Sequence, residues 1–203
     1  MKSDGIAFGI AGIAFGLIAG WIIGTQQATV RAPGAAPVAS APATAAEPRA
    51  AILDEARVNA LKAVAEREAA NPTPRAELAN LYFDAEQFDE AIRWYEDALK
   101  LNPKDVNVST DLGVSYYYTN QPDRAIAQLN RSLEIDPKHA KTLLNMGIVK
   151  AFARQDLEGA SQAWEQVIQL APESPEGQAA KRALDTFKSS HPGIGGAGQK
   201  PGA

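Results

Sequence analysis

Residues 72–105 read PTPRAELANLYFDAEQFDEAIRWYEDALKLNPKD. Two segments of the same length follow directly, VNVSTDLGVSYYYTNQPDRAIAQLNRSLEIDPKH at 106–139 and AKTLLNMGIVKAFARQDLEGASQAWEQVIQLAPE at 140–173. Small residues stand at the same offset in the three copies. They are Ala79, Gly113 and Gly147. Agreement in phase over three copies indicates an internal repeat of 34 residues, and such a period is typical of a solenoid.

Each copy has the composition of two short helices. Alanine, the best helix former and a poor strand former, is frequent, whereas aromatic residues make up only 7% of the chain. Proline ends the second helix of each copy, because it disfavours a helical residue before it. These prolines are Pro103, Pro137 and Pro172. The sequence therefore predicts an all-α fold of helix-turn-helix units.

The period and its residues resemble the tetratricopeptide repeat (TPR). The first copy carries Leu78, Ala79, Tyr82, Ala91, Tyr95 and Ala98, and the second carries Leu112, Gly113, Tyr116, Ala125, Leu129 and Ser132. The third copy matches with Met146, Gly147, Ala160, Trp164 and Val167 once one extra residue is placed in its inter-helix turn. Lys150 stands where the other copies have tyrosine, so the third copy diverges most. The resemblance implies a short TPR superhelix in which the small residues lie where paired helices cross.

Further helices are predicted on both sides of the repeats. Residues 51–71 form a leading helix or half-repeat, since ALKAVAEREAANP at 60–72 echoes AIRWYEDALKLNP at 91–103. Residues 174–190 form a capping helix with Ser174 as its N-cap. One face of that helix is apolar, and it shields the end of the solenoid. We expect eight helices after the linker: one or two leading helices, six in three antiparallel pairs, and the cap.

The N-terminal region has the properties of a membrane anchor. After a short end at 1–4, residues 5–24 read GIAFGIAGIAFGLIAGWIIG, which as a helix would rise about 30 Å, the thickness of a bilayer core. A cleaved signal peptide is the alternative, but its apolar region would be shorter. Glycines recur every fourth residue and predict a transmembrane association face. They are Gly12, Gly16, Gly20 and Gly24.

The remaining segments link and end the chain. Residues 25–50 are rich in Ala and Pro and predict a semi-extended linker, and residues 191–203 are Gly-rich and predict a disordered tail. Lys2 and the N-terminal amine precede the span, whereas Arg31 is the nearby cation after it. This slight bias places the N-terminus in the cytoplasm and the repeats outside it, on a single-pass inner-membrane protein.

Charge and composition argue against several function classes. The folded part, 51–190, holds 16 Lys and Arg against 22 Asp and Glu, a balance of −6 that would repel nucleic acid. The chain has no cysteine. His139 and His191 have no partner at metal-ligand spacing and are predicted to be solvated. We therefore predict no catalytic residues, no cofactor and no metal, and a protein that is not an enzyme.

The resemblance implies a peptide-binding groove on the concave face formed by the first helices. The repeat phase assigns to it Asn80, Phe83, Asp84, Asn107, Asp111, Val114, Tyr117, Tyr118, Lys141, Asn145 and Ile148, together with Thr110 and Leu144. Heat-shock-protein co-chaperones of the family hold a carboxylate with Lys, Asn and Arg at five such positions. Asn80 and Lys141 match that set here, but Ala76, Asp111 and Asn145 do not, and Asp111 would repel a carboxylate.

Three functions remain open at this point. The first is a membrane-anchored adaptor that binds a peptide or helix of a partner protein, as in many bacterial anchored repeat proteins that assemble envelope complexes. The second is a structural subunit of a stable membrane oligomer or complex. The third is an accessory of a peptidoglycan or redox enzyme with its own chemistry, which the absence of a nucleophile or ligand cluster disfavours.

Overall fold

The computed structural model describes residues 51–190, which form eight α-helices and no strand. The helices are α1 (Glu55–Arg67), α2 (Thr73–Asp84), α3 (Phe88–Leu101), α4 (Val106–Tyr118), α5 (Pro122–Ile135), α6 (Ala140–Ala153), α7 (Leu157–Leu170) and α8 (Pro175–Ser190). The prediction of an all-helical solenoid with eight helices is confirmed.

Side chains at the helix starts satisfy backbone donors that helices leave free. The carboxylates of Asp54, Asp105 and Asp156 accept hydrogen bonds from the backbone N–H three residues later, at the starts of α1, α4 and α7. Ser174 Oγ does the same for Gly177 N at 3.0 Å, so its predicted capping role is confirmed. Such caps stabilise a helix by about 1 kcal/mol each.

The helices pack as successive pairs, α2 with α3, α4 with α5 and α6 with α7. The turn within each pair contains a non-glycine residue with positive φ: Glu86 at 58°, Asn120 at 58° and Gln155 at 54°. The first two are 34 residues apart and the last two 35, which puts one extra residue between them in the third copy. The connections 85–87, 119–121 and 154–156 are equally long, so the extra residue does not lie in the turn, as predicted, but lengthens α6, which has 14 residues against 13 in α4.

Small residues lie where paired helices cross, as predicted. A Cβ added to Gly113 would come within 2.9 Å of Leu129 Cγ, and one added to Gly147 within 2.3 Å of Trp164 Nε1. Ala91, Ala125 and Ala160 on the second helices are fully buried. Close backbone approach at these crossings leaves no room for a larger side chain.

The two ends of the solenoid are covered by α1 and α8. Helix α1 packs on α2 and buries Val58. Helix α8 packs on α7 and also reaches α6. Phe187 of α8 meets Trp164 edge to face, with ring centroids 5.4 Å apart. The predicted apolar face of this helix is buried, so the C-terminal core is shielded by α8.

Within residues 51–190, no helix is long and apolar enough to cross a membrane. The predicted span at 5–24, its glycine face, the linker at 25–50 and the tail at 191–203 lie outside the described residues. They stay predictions.

Candidate docking groove

The first helices α2, α4 and α6 carry all the residues that the repeat phase assigned to the groove. Asn80 and Asn107 are exposed, and seven are partly buried: Phe83, Asp84, Asp111, Val114, Tyr117, Tyr118 and Lys141. The remaining two, Asn145 and Ile148, are only 8% and 4% exposed.

Asn145 and Ile148 therefore present little surface to a partner. Both lie on α6, which packs against α4, α5, α7 and α8. The side-chain amide of Asn145 donates to its own helix, at Lys141 O, at 2.8 Å. This packing contradicts the prediction that Asn145 and Ile148 line an open groove. Thr110 and Leu144 are likewise fully buried.

An ion pair joins α4 to α6 at the groove. Lys141 Nζ lies 2.7 Å from Asp111 Oδ1, and the two side chains are 18% and 20% exposed. Burial raises the pKa of Asp111 although the charge of Lys141 acts in the opposite direction. The pair is thus mostly withdrawn from water, and each charge depends on the other.

Asp84, the last residue of α2, belongs to the same face. Burial, and then the negative charge of Asp111, raise the pKa of the Asp84 carboxyl group. The positive charge of Lys141 acts in the opposite direction.

A buried hydroxyl chain lies beside the ion pair. Thr110 Oγ1 and Thr142 Oγ1 are 2.6 Å apart, and Thr142 Oγ1 is 2.7 Å from His139 Nδ1. His139 precedes α6 as its N-cap residue and is half-buried, which lowers its pKa. The prediction that His139 is a solvated residue is wrong. His191 lies outside the described residues.

Aromatic residues cluster at the end of α2, the start of α3 and the end of α4. Phe88 and Tyr118 are stacked with centroids 4.5 Å apart, and Phe83 meets both edge to face. Tyr117 lies 5.8 Å from Tyr118, and burial raises its pKa to about 12. Tyr118 therefore packs between helices. Phe88 is a member of the cluster that the repeat phase did not indicate, because it belongs to a second helix.

Asn80 is positioned by a second-helix residue. Tyr95, 1% exposed, donates its hydroxyl hydrogen to Asn80 Oδ1 at 2.7 Å. The Asn80 side-chain NH₂ group then faces away from its oxygen and is available as a donor at an exposed position. Asn80 is therefore a preorganised polar contact on α2.

The five positions that would form a co-chaperone carboxylate clamp hold one cation, Lys141. That cation is bound by Asp111, which occupies the preceding position of the set. Asn145 is buried, and Ala76 has no polar group. Among residues 51–190, no group of three or more His, Asp or Glu is arranged to hold a metal ion. The groove offers polar and aromatic contacts, and its described residues show no carboxylate clamp.

Helix pairs with this period and these crossings define the class of the domain. A family model described as TPR repeat matches residues 79–120, and one described as tetratricopeptide repeat matches residues 107–139. The chain therefore contains tetratricopeptide repeats. The third copy lies beyond both matches, and its status as a repeat stays a prediction.

Solved structures share the fold. The first TPR of Spaghetti (RPAP3), bound to the HSP90 peptide SRMEEVD, is 24% identical with a TM-score of 0.54, over 59% of this chain and 92% of that one. MamA is 19% identical with a TM-score of 0.60, over 68% and 77%. The TPR domain of Arabidopsis OM64 is 17% identical with a TM-score of 0.50, over 64% and 98%. No curated protein matches the sequence.

Proposed function

We propose that this chain is a membrane-anchored adaptor that binds a peptide segment of a partner protein in the groove of α2, α4 and α6. The observation that carries the proposal is the set of partly exposed polar and aromatic side chains on those helices, from Asn80 to Tyr117. The RPAP3 repeat domain, which has the same fold, is bound to a peptide. Repeat solenoids offer such extended surfaces to peptides.

The proposed anchor is the apolar span at 5–24, with the Ala/Pro-rich linker at 25–50 holding the repeats away from the bilayer. The repeats then lie outside the cytoplasm, on a bacterial inner-membrane protein that assists assembly of an envelope complex. Binding, rather than catalysis, is its role. Deleting residues 1–27 should move the protein from the membrane fraction to the supernatant. Retention in the membrane would contradict this anchor.

The groove is tested by comparing one groove variant with one control outside it. Tyr117→Ala removes aromatic area at the centre of the groove, and such anchors commonly contribute about 2 kcal/mol or more to binding. Arg93→Ala changes an exposed residue of α3, whose ion pair with Glu90 lies within its own helix. We expect Tyr117→Ala to reduce partner capture from solubilised membranes at least about tenfold and Arg93→Ala to leave capture unchanged. Equal capture by both variants would remove the groove from the account.

Gln128 lies on the second helix of its pair, outside the groove, but it is buried and therefore cannot serve as an exposed control like Arg93. It is 8% exposed, and its side-chain nitrogen donates to Ser109 Oγ at 2.7 Å. Ser132 Oγ donates to the same oxygen at 2.8 Å. Replacing Gln128 would disturb a buried hydrogen-bond network between α4 and α5, so its effect on capture would report stability.

One observation favours the second candidate function, a structural subunit of a stable complex. The last residues of α3, α5 and α7 are large, apolar and exposed: Leu101 at 40%, Ile135 at 37% and Leu170 at 38%. Ile135 also lines a cleft of about 610 Å³ beside Pro103 and Leu112. A permanent partner on this side of the solenoid would cover the row. Ile135→Asp would then dissociate a fixed-ratio complex, whereas it would leave an adaptor's capture intact.

A further inference from the structure

A cleft of about 610 Å³ lies between the second helices α3 and α5. Ser109, Leu112 and Tyr116 of α4 also line it, and each is at most 5% exposed, so they form its floor. None of the described residues that line the cleft is a residue of the docking groove. Cavities of this size are in the range of ligand sites. A ligand in the cleft would therefore use a surface of its own.

Much of the lining is apolar. Leu99 belongs to α3 and Ile135 to α5, and Ile135 is 37% exposed. Pro103, which follows α3, extends this apolar surface. Ala127 of α5 is exposed, and its small side chain leaves the cleft open. A large apolar side chain of a partner would be removed from water here, which favours binding.

The one carboxylate among the described lining residues is already bound. Glu96 Oε1 accepts the hydroxyl hydrogen of Tyr116 at 2.5 Å and a hydrogen bond from Arg124 Nη2 at 3.2 Å. The guanidinium carbon of Arg124 lies 4.0 Å from the centre of the Tyr116 ring. Arg124 therefore neutralises Glu96, and other residues set the charge of the cleft.

Two further cations line the cleft from different helices. Arg131 of α5 is exposed, and within residues 51–190 its guanidinium forms no ion pair and no hydrogen bond. Lys100 of α3 pairs with Asp97 of its own helix at 2.6 Å, but its side chain is 72% exposed. Exposed ion pairs contribute little free energy, so a ligand carboxylate competes for Lys100 at little cost. The lining of the cleft is therefore positive on a domain whose balance is −6.

We propose that the cleft between α3 and α5 binds a segment of a partner protein in which a large apolar side chain neighbours an aspartate or glutamate. The apolar side chain packs between Leu99 and Ile135. The carboxylate pairs with Arg131, because a planar guanidinium matches its geometry. This inference goes beyond the proposed function, since it adds a second binding surface that shares no residue with the groove. The rest of the domain is acidic and offers such a segment little attraction.

The test uses the full chain in lipid nanodiscs and a phage library of random dodecapeptides. The library is first depleted on the variant Ala127→Trp, whose indole fills the cleft, and the remainder is selected on the parent. Enriched peptides are synthesised with a fluorophore, and their affinity is measured by anisotropy. We expect peptides that combine a large apolar residue with Asp or Glu. Their affinity should fall at least about tenfold in Arg131→Glu and should also fall at high salt, since part of the attraction is electrostatic.

Two variants serve as matched controls. Gln162→Trp places the same side chain on α7, two residues after the buried Ala160, as Ala127 follows the buried Ala125. Lys181→Glu makes the same change of charge at an exposed position of α8. Both controls should leave the affinity unchanged. Ala127 and Arg131 are exposed, so we expect unfolding curves of their variants to match the parent.

The remaining outcomes separate the cleft from the groove. Enrichment of no peptide after the depletion, or of basic peptides, would overturn the inference. Equal losses in Arg131→Glu and Lys181→Glu would also overturn it, because the charge of the whole domain would then control binding. Peptides that lose affinity in Tyr117→Ala but not in Arg131→Glu would place the site in the groove, which overturns the cleft and supports the proposed function.

Discussion

Replacing Gly147 by alanine tests the closest helix crossing in the solenoid. The added Cβ would lie 2.3 Å from Trp164 Nε1, 2.6 Å from Cδ1 and 2.7 Å from Cε2. Ordinary carbon contacts are about 3.5–4.0 Å, so the indole ring has to move by roughly 1 Å. Trp164 is 1% exposed, so its ring is enclosed by other groups.

The expected free-energy change combines three contributions. Overpacking a core costs about 1–3 kcal/mol. Moving the ring weakens the hydrogen bond from Trp164 Nε1 to Leu144 O, now 3.2 Å, which contributes about 1 kcal/mol. Alanine in place of glycine favours the helix by about 1 kcal/mol. The net destabilisation is therefore about 1–3 kcal/mol, which lowers the melting temperature of a domain of this size by roughly 4–12 °C.

Thermal unfolding of the full chain, followed by far-UV circular dichroism, measures this change. Gly113→Ala is the matched control, because its Cβ would meet Leu129 Cγ at 2.9 Å, a milder approach to a more adaptable side chain. We expect Gly113→Ala to lower the melting temperature less than Gly147→Ala does. A Gly147→Ala protein that melts at or above the parent temperature would refute the crossing geometry.

Three other perturbations give defined results. Ala125→Trp should destabilise the fold by at least about 1–3 kcal/mol, because Ala125 is fully buried at the α4–α5 crossing; an unchanged melting temperature would contradict that packing. Lys141→Met should lower the free energy of unfolding in denaturant by about 2 kcal/mol, because it leaves Asp111 without its partner. Adding Asp111→Asn to this variant should restore most of that free energy. If the losses of the two single variants simply add in the double variant, the pair is not coupled. The pKa of His139 is lower in the folded state than in the unfolded state. Its contribution to stability is therefore fully present above its ordinary pKa of about 6.5. That contribution is lost as the pH falls through the lower pKa of the folded state. His139→Gln should therefore reduce the fall in melting temperature between about pH 7.5 and pH 5.5, while His191→Gln should keep it; equal falls in both variants would place the titration elsewhere.

Repeat phase was sufficient to predict the helices and their crossings. Gly113 and Gly147 could be recognised because a small residue recurs where two backbones approach, and the structure places Leu129 and Trp164 against them. The extra residue in the third copy was also recognisable, because the motif returns to phase after it. These features depend on contacts within one repeat. Because the repeat recurs, the residues that make such contacts can be recognised by comparing the copies.

Burial within the groove could not be predicted in the same way. Ile148 and Asn145 occupy groove positions by phase, yet both are buried on α6, which packs against α4, α5, α7 and α8. The repeat phase describes one unit and does not show how closely the neighbouring helices pack on it.

Polar side chains were the second source of error. His139 was expected to be solvated, but its ring nitrogen lies beside the hydroxyl of Thr142. Gln128 is also buried, and its side-chain nitrogen donates to Ser109 Oγ on the neighbouring helix. Hydrogen bonding makes the burial of such groups tolerable. These partners are far apart or unmarked in the sequence, so pattern alone does not reveal them.

Site-specific photo-crosslinking in intact cells tests the central claim, that the groove holds the partner. A photoreactive phenylalanine derivative is placed at Val114, partly buried on α4 in the groove, or at Arg93, exposed on α3 outside it. We expect a partner adduct from position 114 and none from position 93. Adducts from position 93 alone, or equal adducts from both, would contradict it.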